Sequence, residues 1–182
     1  MTQTLFIKNM VCNRCNMMIS NLLKNQGFTI ESIQLGKIIV KEHPQNDYNR
    51  LEEELNNLGF ELIQDPSKVL VEKIKIILIQ SLNKNDILSK LEGEVGKSYS
   101  ILSKTFSKSE GITLEKYFIN LKIEKAKEYI QLKQLNFSEI AYSLNYKNSS
   151  HLAKQFKQVT GMSMTDFKNL HSHNRKGLDR IV

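Results

Sequence analysis

The chain's whole cysteine complement is a single close pair, Cys12 and Cys15, in 182 residues. The pair lies in Asn9-Met10-Val11-Cys12-Asn13-Arg14-Cys15, between a short strand pattern, Thr4 to Lys8, and a helical pattern, Asn16 to Lys24. Two cysteines three apart where a helix begins point their sulfurs the same way. The free backbone N–H groups and helix dipole at that place favour thiolates. Two close thiolates suit a soft ion of low coordination such as Cu(I), and two such pairs would complete a tetrahedral zinc site. Structural thiols packed as small apolar residues are a second reading. A redox couple is a third, although the longer α/β framework and a Trp-Cys-Gly-Pro-Cys setting are missing.

A second set of chemistry-bearing residues occurs twice. Ser98 to Phe106 aligns with Asn148 to Phe156 at an offset of fifty, and the match continues through Gly111 with Gly161, Thr113 with Ser163 and Tyr117 with Phe167. Upstream, Leu91 and Val95 match Ile140 and Leu144 at an offset of forty-nine. Within each copy Leu102 with Phe106, and Leu152 with Phe156 and Val159, read as the buried face of a helix. The opposite faces carry Ser100, Ser103, Lys104 and Ser107 in the first copy, and Ser150, His151, Lys154, Lys157 and Gln158 in the second. Short hydroxyls permit close approach, and lysine reaches guanine edges or phosphates. A solvated polar face explains either helix alone, but two copies with matched caps and turns weaken that reading. His151 has no thiol or carboxylate set around it and is not expected to bind metal.

The elements that must hold these residues follow from the punctuation. Each copy reads as a helix-turn-helix, with Gly96 and Asn145 at turns that need positive φ, Ser98 and Asn148 as N-caps, and Gly111 and Gly161 as stops. Leu114 to Gln131 is one continuous helical pattern of roughly 27 Å. That length can hold two reading helices near the ~34 Å spacing of successive major grooves. The front of the chain has a β-α-β-β-α-β rhythm. Its first helix carries Met17, Met18, Ile19, Leu22 and Leu23, and Gly36 turns a hairpin between Phe28–Leu35 and Lys37–Lys41. Asp47 caps a helix bearing Leu51, Leu55 and Leu58, and Phe60 to Ile63 closes the sheet. Between front and back, Leu70, Val71, Ile74, Ile77, Leu78 and Leu82 form one helical stripe, while alternation over Glu72 to Ile76 leaves a strand open.

Composition fits this division. Residues 1–67 carry a net charge of −2 and the remainder +9, which together give the chain's +7. A basic back part favours a polyanionic partner only weakly. Apolar residues make up 40% of the chain, enough for packed cores. No apolar run reaches the ~20 residues of a membrane span, and the start lacks the pattern of a signal peptide, so no membrane association is expected. Two cysteines make no disulfide scaffold, and a cytoplasmic protein with reduced thiols is expected. No catalytic Ser/His/Asp set, phosphate loop or complete metalloenzyme site is visible, so no enzymatic activity is expected.

Two resemblances sharpen these expectations. Met10-x-Cys12-x-x-Cys15 after the first strand, with Gly59-Phe60 before the last, resembles the heavy-metal-associated domain of copper chaperones and metal-pumping ATPases. It implies ligation by Cys12 and Cys15, Met10 beneath the loop and Phe60 shielding it; Asn9 and Val11 depart from the family's usual glycine and threonine. Asn136-Phe137-Ser138-Glu139-Ile140-Ala141, then Leu144, Tyr146, Leu152, Phe156-Lys157 and Gly161, resembles the AraC-type signature over residues 84–170. Departures are Asn145 for a turn glycine, Met164 for a proline, Lys122 for an arginine, and Glu92 where a small residue is usual. This resemblance implies base or phosphate contacts by Ser100, Ser103 and Lys104, and by Ser150, His151 and Lys154.

The expected fold is α+β: a ferredoxin-like βαββαβ domain over 1–67, a connecting helix over 68–83, an all-α domain with two helix-turn-helix units over 84–170, and a flexible tail over 171–182. The expected function is sequence-specific regulation of transcription, with double-stranded DNA as partner and RNA polymerase and a second copy of the chain as further ones. Cys12 and Cys15 would respond to Cu(I), Zn(II) or another thiophilic metal. A constitutive regulator with a purely structural front domain and a metal carrier or buffer stay open as alternatives.

Overall fold

The computed structural model describes residues 1–84, 87–170 and 175–181. The chain divides into two compact units, Met1–Ile76 and Ile77–Val182.

In the first unit the elements run β1 (Thr2–Lys8), α1 (Asn13–Asn25), β2 (Ile30–Gln34), β3 (Lys37–Lys41), α2 (Tyr48–Asn57) and β4 (Glu61–Ile63), followed by the start of α3 (Pro66–Gln80). The sheet order is β2-β3-β1-β4 and every neighbouring pair is antiparallel. Period-two alternation buries Leu5 and Ile7 of β1 and Ile38 and Val40 of β3 on one face. Ile19, Leu22 and Leu23 of α1 and Leu51 and Leu55 of α2 close over that face, with Met10, Phe28 and Phe60 in the same core. Asp47 caps α2 as its chemistry predicts, accepting from the Arg50 N–H at 3.0 Å.

Three apolar side chains expected in this core lie outside it. Met17 and Met18 face solvent from α1, and Leu58, the C-cap of α2, is also exposed. Met17 lies about 160° from Ile19, on the far side of α1, and Met18 about 100° from it, while Leu58 is in phase with Leu51 and Leu55 but stands past the last turn of α2.

The segment over Glu72 to Ile76 is helical, which removes the strand alternative. Pro66 occupies the first turn of α3, where its missing N–H costs nothing. Val71, Ile74, Ile77 and Leu78 are buried as the stripe predicts, and Leu70 is half-buried. Glu72 is buried too, 7% exposed, and accepts the Asn9 N–H at 2.8 Å. Asn9 has φ of 71°, the left-handed conformation that explains why glycine suits this place, and its side-chain amide donates to the Gly59 carbonyl at 2.9 Å. Ile76 meets Gly36, whose φ is 75° and where a Cβ would collide with the Ile76 side chain. The ends of β1 and of the hairpin are thus fastened to α3.

The second unit continues with α4 (Ile87–Val95), α5 (Tyr99–Glu110), α6 (Leu114–Leu132), α7 (Phe137–Ser143), α8 (Ser149–Thr160) and α9 (Met164–Lys168), then a 3-10 turn at Leu178–Arg180. The two copies repeat in packing as in sequence. Leu102 and Phe106 are buried in α5, and Leu152 and Phe156 in α8. The Phe106 ring meets Tyr117 at 5.1 Å between centroids, and its counterpart Phe156 meets Phe167 at 5.5 Å. Leu114 and Met164, also fifty apart, are both buried. Thr113 and Ser163 cap the next helices through the same bond, each accepting from the N–H three residues on at 3.1 Å. Val159 is a correction: it is 43% exposed, because it lies at the flank of the α8 stripe.

The tail also differs from expectation. Residues 171–174 and 182 lie outside the described residues, but 175–181 is tied to α6. Arg175 donates to Glu128 at 3.2 Å and Gln131 at 3.3 Å, the Lys176 N–H donates to Glu124 at 3.0 Å, and Ile181 is buried. A polar composition concealed these attachments, which depend on acceptors more than forty residues away.

The Asn9–Glu72 bond gives a direct test. Glu72→Ala leaves the Asn9 N–H without that acceptor and should destabilise the first unit by ~1–3 kcal/mol. Glu72→Gln, which keeps an acceptor oxygen, should cost less. Amide exchange at Asn9 together with denaturant unfolding measures both, and an Asn9 exchange rate unchanged in Glu72→Ala would contradict the assignment.

Candidate functional site

The equivalent helices α5 and α8 are held in place by different chemistry. In the second copy, α7 opens with a full capping box between Asn136 and Glu139. Asn145 then takes φ of 54°, supplying the turn's positive φ. Asn148 caps α8 by accepting the His151 N–H at 2.8 Å. In the first copy Gly96 makes the turn at φ of 69°. Ser98 stands at the N-cap of α5, but its side chain makes no capping bond. Glu92 of α4 supplies the acceptor instead, receiving the Tyr99 N–H at 2.6 Å. The carboxylate that departs from the usual small residue is therefore the cap of the following helix. Tyr99 in turn donates its hydroxyl to Glu115 at the start of α6. Burial and then that carboxylate push the Tyr99 pKa up to about 12, and the bond from Tyr99 holds Glu115 below the ordinary carboxylate range.

Each buried face leaves the opposite one outward. On α8, Ser150, His151 and Lys154 are exposed, as are Lys157 and Gln158. On α5, Ser100 and Lys104 are exposed, while Ser103 is half-buried on the flank. Sequence reading passed over Ile101, which is 50% exposed on this outer face. The offset of fifty could have found it, because it pairs Ile101 with His151.

His151 is oriented by its surroundings. Its ring packs edge-on against Tyr146 at 5.4 Å, and the Tyr146 hydroxyl donates to Gln155 at 2.7 Å. Lys122 of α6 lies over the same tyrosine ring at 5.2 Å and over Phe118 at 4.8 Å. Burial lowers the Lys122 pKa and raises that of Tyr146 to about 12. The linker lysine thus reaches the ring that seats His151.

In the first unit, Cys12 and Cys15 come together as expected, with sulfurs 3.5 Å apart at the exposed start of α1. Cys12 is the N-cap residue, and its carbonyl accepts the Cys15 N–H at 3.0 Å. The Cys15 sulfur lies 4.0 Å from the Asn9 carbonyl. Burial opposes ionisation of Cys12, but the Cys15 and Arg14 backbone N–H groups, the Cys15 thiol and the Arg14 charge outweigh it and lower the pKa. At Cys15 burial dominates and raises it. Met10 is buried in the core just before the pair, and Phe60 is buried in the same cluster. Among the described residues no group of three or more His, Cys, Asp or Glu side chains is arranged to hold a metal ion. No helix among them is long and apolar enough to cross a membrane.

Comparison with known proteins bears on the second unit. Residues 91–169 match the family described as Helix-turn-helix domain. The Msm operon regulatory protein of Streptococcus mutans is 28% identical over 112 residues, covering 59% of this chain and 39% of that protein. The HTH-type transcriptional activator RhaR of Escherichia coli is 26% identical over 106 residues, covering 58% of this chain and 38% of that protein. This chain therefore spans about two fifths of the length of the curated relatives it matches. The C-terminal domain of the two-component response regulator yesN from Fusobacterium nucleatum superposes with a TM-score of 0.50 at 25% identity, over 54% of this chain and 96% of that one. The C-terminal domain of AraT, a response regulator from Geobacillus stearothermophilus, superposes with a TM-score of 0.52 at 20% identity, over 57% and 84%, which shows the fold. Over residues 91–169 the second unit is therefore similar to the helix-turn-helix domains of proteins named as transcription regulators.

The turn residue is testable. Asn145→Ala places a less tolerant side chain at φ of 54° and should cost about 1 kcal/mol, whereas Asn145→Gly should not destabilise. Thermal unfolding followed by helical circular dichroism compares the two, and equal loss in both variants would show that the side chain, not the backbone angle, matters.

Proposed function

We propose that the chain is a sequence-specific DNA-binding regulator of transcription, with α5 and α8 as its reading helices. The observation that carries this is the duplicated geometry: two helices fifty residues apart, buried through equivalent Leu/Phe pairs, each turning a hydroxyl- and lysine-bearing face outward. Ser100, Ser103 and Lys104 would contact one major groove, and Ser150, His151 and Lys154 the next. The curated relatives are named as regulators, which supports the same reading. Double-stranded DNA is the partner, RNA polymerase a further one, and the cytoplasm the compartment. No reaction is assigned to the chain.

Lys154→Ala should weaken binding to a selected DNA site by ~1–3 kcal/mol if Lys154 reads a base edge. If it touches phosphate alone, the loss should be similar on all sequences and the salt slope should fall by about one. Binding and salt dependence both unchanged would remove Lys154 from the interface, and absence of sequence-selective binding by the wild-type chain would reject the function.

For the first unit the proposal is a ferredoxin-like, heavy-metal-associated-like domain whose Cys12 and Cys15 hold a thiophilic ion that acts as effector. Its support is the β2-β3-β1-β4 order, the buried Met10 and the converging thiols. Two Zn–S bonds of ~2.3 Å at a tetrahedral angle place sulfurs about 3.8 Å apart, so a pair at 3.5 Å fits one edge of such a site. A second copy of the chain would supply the other edge, whereas Cu(I) could bind within one chain. A structural front domain and a metal carrier remain the alternatives.

Metal titration of wild type and Cys12→Ser/Cys15→Ser, each with and without selected DNA, separates these readings. The expected result is binding that is lost in the double variant and whose affinity changes on DNA, because coupling is reciprocal. Equal binding by both proteins would exclude these ligands. Binding equal with and without DNA would reject the effector role.

A further inference from the structure

The outward face of α5 is polar except at one position. At 100° per residue, Ser100, Ile101 and Lys104 share an arc of roughly 100° opposite buried Leu102 and Phe106. Ile101 is 50% exposed at the flank of that arc, beside Lys104 and one residue from Ser100. Its counterpart His151 stands at the same angle on α8, seated against Tyr146. The repeat therefore places an aliphatic group in the first copy where the second places an imidazole.

That difference changes the chemistry available. An imidazole exchanges hydrogen bonds with base edges or phosphates. An isoleucine offers no donor or acceptor, so phosphates and the polar base edges give it nothing. In the major groove the apolar feature that rewards it is the C5-methyl group of thymine. The hydroxyl of Ser100 is short enough to leave that methyl accessible, and Lys104 can reach an adjacent guanine or phosphate.

We infer that Ile101 is a specificity-determining residue that reads a thymine methyl in the half-site contacted by α5. The inference rests on the reading of α5 as a DNA-contacting helix. The two copies then recognise different features: a methyl group through Ile101, and a hydrogen-bonding base edge through His151 and Lys154. Duplication of the fold does not duplicate the sequence read, and the target site is asymmetric.

The experiment uses the full chain. Binding sites are selected from a random duplex library with wild type, and the α5 half-site is assigned as the half whose preference relaxes in Lys104→Ala. Each thymine of that half is then replaced singly by deoxyuridine, which removes only the methyl group. One replacement should weaken wild type about fourfold, the ratio corresponding to one buried methyl-sized group. Ile101→Ser, at an exposed position outside the core, should bind the thymine and uracil forms equally, and Ile101→Val should retain part of the difference. Selective binding in which no methyl matters, or methyl sensitivity that persists in Ile101→Ser, would overturn the inference while leaving the DNA-reading function standing. Failure of wild type to select any sequence would overturn both.

Discussion

The ring contact behind each of the equivalent helices α5 and α8 is the constraint on which the second unit depends. Phe106 against Tyr117 and Phe156 against Phe167 fix the rotation of α5 and α8 about their own axes. A helix rotated by one residue would turn Leu102 or Leu152 toward water and bury a lysine or serine in its place. Burial of one Leu/Phe pair is worth several kcal/mol before entropy is counted. The polar face is outward because the apolar face has no other place to go. Its composition can vary widely without disturbing that outcome.

Much of this arrangement is legible from the residues alone. Glycine and asparagine at the turns, hydroxyl and amide caps, and the offset of fifty each report local chemistry that needs no distant partner. The front sheet is legible for the same reason, since alternation in β1 and β3 and the cap at Asp47 are local signals. What the sequence conceals depends on distance or on the edge of a stripe. Val159 and Leu58 are apolar and nearly in phase, yet each stands at the end of its helix and is exposed, while Met17 and Met18 are apolar but lie off the buried face of α1. Glu92 looks like a misfit in α4 until the start of α5 is brought beside it. Arg175 reads as tail until Glu128 of α6 is brought beside it.

The first unit adds a different kind of constraint. The loop carrying the thiols is shaped by Asn9, whose left-handed backbone is held from two sides, by Glu72 of α3 and by the Gly59 carbonyl. Glutamate is rarely buried without a partner, and here it satisfies a backbone N–H that the end of β1 would otherwise leave unpaired. The geometry of the cysteine pair is therefore set partly by a helix more than fifty residues along the chain. A CxxC motif read in isolation contains none of that information.

The helix α6 serves both copies at once: Tyr117 near its start packs on α5, while Ile123, Ala126 and Ile130 belong to the core of α7 and α8. A single inserted residue would swing one half of this shared rod by about 100° and lengthen it by about 1.5 Å relative to the other. Substitutions on the outer faces of α5 and α8 can accumulate one at a time, because no core contact depends on them. A change in the length of α6 has no such gradual route, because it puts the two ends out of phase in a single step. The two outer faces are therefore open to change by small steps, while the interval between them can change only in whole ones.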